Sequence, residues 1–115
     1  MANIDGDKLR GHLETLILAT LERGGAAHGL EILRRLEAGG SGVLKLKEGS
    51  LYPALYRLEA AGEIAGTWER QPAGRRGARR RLYRITPKGS RTLSRGRGEW
   101  QTFVQTLGQI LAAPV

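Results

Sequence analysis

Glu48-Gly49-Ser50-Leu51-Tyr52-Pro53-Ala54-Leu55-Tyr56-Arg57-Leu58-Glu59 is the stretch that decides the fold. Leu51, Leu55, Leu58 and Ala61 recur at spacings of three and four, which predicts a helix with one buried apolar stripe. Ser50 is placed as its N-cap. Pro53 then falls in the first turn, where amides have no intrahelical partner and a missing N–H costs little. Ser50, Tyr52, Tyr56 and Arg57 stay available beside the buried leucines, and the free N–H groups at the helix start can hold a phosphate.

Two helices precede this one. Leu9, Leu13, Leu16, Ile17 and Leu21 mark a stripe from Lys8 to Arg23, ended by Gly24 and Gly25. A shorter helix is expected from His28 to Ala38, with Ile32, Leu33 and Leu36 inward, stopped by Gly39, Gly40 and Gly42. A short helix, a glycine-bearing turn and an extended stretch from Val43 to Lys47 thus lead into the helix that follows, the order of a helix-turn-helix.

Two strands are predicted downstream, Glu63 to Arg70 and Arg81 to Thr86, separated by Gln71 to Arg80 with Pro72, Gly74 and Gly77 as turn formers. The hairpin carries Arg75, Arg76, Arg79, Arg80 and Arg81, with Arg70 and Arg84 at its shoulders and Glu69 as the only acid between Trp68 and Ile85. A single basic pair on a loop is usually only solvated. Five arginines in so short a span repel one another and call for a polyanion. Their planar forks suit phosphate oxygens, guanine edges and the minor groove.

Thr86-Pro87 reads as an N-cap with proline at the first helical position, opening a last helix. Trp100, Val104, Leu107 and Leu111 follow the alternating spacing of a coiled-coil seam, and Phe103 and Ile110 widen it. With Leu93, these residues form a predicted dimer interface, because a lone terminal helix on so small a domain cannot hide that much apolar face. The chain divides at this level into residues 1–87, a winged helix-turn-helix, and residues 88–115, a dimerisation helix. The fold class expected is α+β, mainly α, with a two-stranded β-wing.

Composition narrows the function. The 115 residues suffice for one core, and the 5% aromatic content argues for Leu, Ile and Ala packing rather than a β-sandwich. A formal net charge of +8 and a sequence pI of about 10.8 point to a nucleic-acid partner. The absence of cysteine removes disulfides, thiolate catalysis and Cys-based zinc sites. A polar N-terminus and the lack of a long apolar run give a soluble, cytoplasmic protein with no membrane partner as the expectation. His12 and His28 lie on different helices without a paired carboxylate motif, so no metal or other cofactor is expected and both histidines read as capping or packing residues. No nucleophile, base and orienting group come together, which argues against an enzyme.

The stretch Gly49 to Glu59, continued by Ala61-Gly62-Glu63-Ile64, closely resembles the recognition helix and first strand of the PadR family of bacterial transcriptional regulators. Leu9-Arg10-Gly11 and His28-Gly29-Leu30-Glu31-Ile32 are similar to that family's first two helices, and Leu82 to Gly89 to its last strand and helix start. Leu30, Glu63 and Leu82 depart from the family's usual Tyr, apolar and aromatic residues. The resemblance implies a homodimeric, ligand-responsive repressor on a near-palindromic DNA operator. Carried onto this chain, the DNA-binding residues are Ser50, Tyr52 and Arg57 on the helix, Lys47 and Lys45 before it, and Arg75, Arg76, Arg79 and Arg80 on the wing. It further implies that an aromatic on the last helix, here Trp100, can line a site for a small-molecule effector. Two readings from other classes remain open beside it: a basic RNA-associated protein without sequence readout, and a module whose last helix docks a larger partner.

Overall fold

The computed structural model describes residues 11–41, 44–70 and 80–112. Four helices and a small antiparallel sheet follow one another as α1 (Leu13–Gly24), β1 (Ala27–His28), α2 (Gly29–Gly39), α3 (Glu48–Ala60), β2 (Ile64–Trp68), β3 (Arg81–Ile85) and α4 (Pro87–Leu111). This is the winged helix-turn-helix order, with α2 and α3 as the helix pair and β2–β3 as the two-stranded wing.

Helix α1 lies at the centre and touches α2, α3, α4 and β3. Its predicted stripe included Ile17 and Leu21, both buried, but not Leu18, which is buried as well. A helix packed on several sides buries more than one narrow stripe, so a single-face reading stops short. The helix also starts later than its apolar pattern suggests. Gly11 has a φ of 86°, a left-handed conformation that cannot continue a right-handed helix, and Leu13 is the first helical residue. Lys8, Leu9 and Arg10 lie outside the described residues.

The core joins these helices to the sheet through Ile32, Leu51, Leu55, Leu58, Ile64 and Leu93, all nearly inaccessible to solvent. Leu44 and Leu46, in the connection before α3, are buried too. Leu93 therefore belongs to the interior of its own subunit, which corrects its assignment to the dimer interface. It sits two turns into α4, where that helix still packs on α1; Arg97 on the same helix reaches Glu22 at 3.0 Å.

Helix α3 begins at Glu48, with Lys47 extended in the N-cap position. The Lys47 carbonyl accepts from the amides of both Ser50, at 3.0 Å, and Leu51, at 3.1 Å. Ser50 thus stands inside the first turn rather than capping it. Pro53, expected in that turn, is the sixth residue of the helix. Its ring leaves the Gly49 carbonyl without the usual donor four residues on, a cost tolerated on an exposed face where water can take the bond.

The strands pair as β1-β3-β2. The hairpin register sets Ile64 opposite Ile85 and Trp68 opposite Arg81. The third strand, Ala27–His28, adds an edge to the wing by pairing with Tyr83 and Leu82. Two residues carry no alternation, so periodicity alone could not reveal it. At the start of α4, the Thr86 hydroxyl accepts from the Gly89 amide at 3.1 Å, with Pro87 in the first turn, as predicted. Gly89 is required by packing: a Cβ there would collide with the Glu63 carbonyl oxygen and meet Ile85 Cγ1 at 2.8 Å.

Candidate nucleic-acid interface

Helix α3 buries Leu51, Ala54, Leu55 and Leu58 and leaves its opposite side to solvent. The side chains along its two flanks are tied to the domain. On one flank, the Tyr52 ring lies over the first residue of α2, where a Cβ on Gly29 would meet Tyr52 Oη at 2.6 Å. Tyr52 is therefore both a packing residue and, at 42% exposed, a surface one. Glu59, about two turns beyond Tyr52 on the same flank, receives both Nε (3.3 Å) and Nη2 of Arg81. That guanidinium also lies 5.1 Å from the centroid of the Trp68 ring.

On the other flank, Arg57 donates from Nε to Glu14 Oε1 of α1 at 2.5 Å. Ser50 sits half-exposed on the same side. Lys45 and Lys47 are exposed before the helix, and among the described residues neither has a carboxylate within ion-pair distance.

At the base of the wing one carboxylate oxygen, Glu69 Oε2, faces a guanidinium and an imidazole. It lies 3.2 Å from Arg80 Nε and 3.1 Å from His28 Nε2. Arg84 is exposed on β3. Arg75, Arg76 and Arg79 lie outside the described residues. The Tyr83 phenol, beneath the sheet, is pushed above its ordinary value chiefly by burial, which the neighbouring Arg81 partly offsets.

The chemistry available is recognition rather than reaction. A solvent-facing helix, phosphate-seeking cations around it and a basic hairpin beside it make a surface for a polyanion of regular shape. The family model for the PadR-like transcriptional regulators matches residues 17–95, spanning α1 to the first turns of α4. The chain belongs to the PadR-like family. It is thus a DNA-binding regulator of transcription, without enzymatic activity.

Solved structures of similar chains agree with the architecture. A transcriptional regulator from Clostridium thermocellum superposes with a TM-score of 0.82 at 29% identity, covering 92% of this chain and 99% of that one. A PadR family regulator from Eggerthella lenta gives 0.78 at 27% identity, over 94% and 88% of the two chains. A PadR-like regulator from Bacillus cereus gives 0.75 at 29% identity, over 94% and 99%. A search of curated protein sequences found no match.

The far half of α4 is the second exposed feature of this PadR-like chain. Trp100, Phe103, Val104, Leu107, Ile110 and Leu111 are between 39% and 80% exposed. Trp100 and Phe103 stack at 5.7 Å between centroids, and the His12 ring meets Trp100 edge-on at 5.3 Å. His12 precedes α1 without a side-chain cap bond, so it acts by packing. His28, at the start of α2, also makes no cap bond. Among the described residues, no helix is long and apolar enough to cross a membrane.

The sequence singled out Arg57 and Arg80 as cations, and Glu69 as the acid of the hairpin, but not the Glu14 carboxylate that holds Arg57. Glu14 is 43 residues from Arg57 along the chain, and no local signal links them. The Trp68–Arg81 pair was within reach of sequence reasoning, since the hairpin register places the two residues opposite each other.

Proposed function

We propose that this chain acts as a homodimeric, ligand-responsive repressor on a near-palindromic operator. The observation that carries the reading is the pairing of two exposed features in one PadR-like chain: the free face of α3 and the apolar stripe from Trp100 to Leu111 on α4. Exposed apolar residues at seam spacing on a helix that outruns its own domain are what a second copy covers. Two-fold symmetry then presents two copies of α3 to successive major grooves.

In this reading Ser50, Tyr52 and Arg57 contact the groove and its rim, Lys47 and Lys45 the adjacent phosphates, and Arg75, Arg76, Arg79 and Arg80 the flanking backbone or minor groove. The phosphate contacts supply affinity and the α3 contacts supply selectivity. The Trp100–Phe103 stack, shared across the seam, offers a flat apolar surface to a small-molecule effector. The same reading takes residues 1–87 as the DNA-binding part and the helix from residue 88 as the dimerising part.

The test is titration of DNA duplexes at several salt concentrations, alongside light scattering. The expected result is a dimer that prefers a specific duplex, with a log-log salt slope growing by about 0.9 per phosphate contact. Equal affinity for scrambled duplexes or a preference for structured RNA overturns the operator reading. A stable monomer at micromolar concentration overturns the dimer.

A further inference from the structure

We infer that Tyr56 is the principal sequence-selecting side chain on α3. The inference rests on the DNA-binding reading above and goes beyond the residues already assigned to it.

With about 3.6 residues per turn, the side of α3 opposite Leu51, Leu55 and Leu58 is the line Gly49, Pro53, Tyr56 and Ala60, spaced by four, three and four. All four are exposed, and Tyr56 is 76% exposed against 42% for Tyr52. Three of them carry no hydrogen-bonding side-chain atom. A Cβ on Gly49 would meet nothing within 4 Å, so the helix backbone is open there. A single exposed aromatic ring is ordinary on a protein surface. One that stands alone on a ridge of glycine, proline and alanine has a different geometry.

A helix about 10–12 Å across fills a major groove of about 12 Å. The small residues let α3 approach closely, and the ridge, not the flanks, then meets the base edges. Tyr52 is held over Gly29 and Arg57 by Glu14, both directed sideways to neighbouring elements. Tyr56 alone brings a donor and acceptor to the groove floor. Its hydroxyl can donate to purine N7 or a keto oxygen or accept from an exocyclic amine, and its ring can rest on a thymine methyl.

Selection from a randomised duplex library, performed with the wild-type chain, Tyr56→Phe and Tyr56→Ala, tests this. The wild type is expected to enrich a two-fold motif. Tyr56→Ala should lose the base preference at one position of each half-site and bind the wild-type motif about tenfold more weakly. Tyr56→Phe, which keeps the ring, should retain any thymine preference and relax the neighbouring hydrogen-bonded position. An unchanged motif for both variants overturns the inference, whether affinity is kept or falls uniformly on all duplexes, since a uniform fall marks a backbone contact. A wild-type chain that enriches no motif overturns the operator reading itself, and this inference with it.

Discussion

Arg57 on α3 and Glu14 on α1 form an ion pair of 2.5 Å that ties the DNA-facing helix to the central helix of the domain. Both side chains are substantially solvent-exposed, at 59% and 43%, so the pair stabilises the fold by less than about 1 kcal/mol. Its larger effect is on charge: Glu14 neutralises a cation beside the proposed groove surface. Glu14→Gln should leave thermal stability almost unchanged and tighten DNA binding a few-fold at low salt, steepening the log-log salt slope by at most about 0.9. Fluorescence anisotropy over a salt series reads both quantities. An unaltered affinity and slope would show that Arg57 makes no phosphate contact.

Leu93 and Leu107 occupy the same helix and should fail in different ways. Leu93 is fully buried within the subunit, so Leu93→Ala should cost about 2–5 kcal/mol of folding stability. Leu107 is 39% exposed, and Leu107→Asp should leave the fold intact while abolishing the dimer and specific DNA binding together. Urea denaturation and light scattering separate the two effects. A Leu107→Asp protein that stays dimeric places the seam elsewhere.

Gly89 closes the joint between the sheet and α4. A methyl group there would collide with the Glu63 carbonyl, which already accepts from the Thr86 amide at 3.1 Å. Backbone cannot yield as a flexible side chain does, so Gly89→Ala should destabilise by about 3 kcal/mol or more. A melting temperature matching that of the wild type would contradict this packing.

Tyr83 predicts a pH effect. Burial raises its folded-state pKa above the value in the unfolded chain, about 10. As the pH climbs past 10 the unfolded state loses the phenolic proton first, so stability present below that pH is lost progressively above it. Tyr83→Phe should remove this component of the alkaline loss. Denaturation midpoints from pH 8 to 11 compare the two proteins, and parallel curves would count against it.

Much of this was legible in the residues themselves. Leu51, Leu55 and Leu58 predicted the decisive helix, Thr86-Pro87 the start of the last one, and alternation the paired strands, because each depends on neighbours a few positions away. The motif around Tyr52 identified the family before any geometry was known. Of the site, the sequence marked the cations but not their state. Arg57, Arg80 and Arg81 each face a carboxylate, on Glu14, Glu69 and Glu59 respectively, and two of those acids come from distant elements.

The sequence alone therefore determined the order of the four helices and the β2–β3 hairpin, the basic character of the partner surface and the family, since periodicity, charge and motif are written locally. Tertiary structure alone decided that Leu93 is core while Leu107 is surface, that Ser50 lies inside its helix rather than capping it, and that Tyr52 and Arg57 are drawn to the flanks of α3 while Tyr56 stands on its outer ridge. Those outcomes depend on which helix or strand packs against each side chain, and that is set by contacts between residues far apart in the chain.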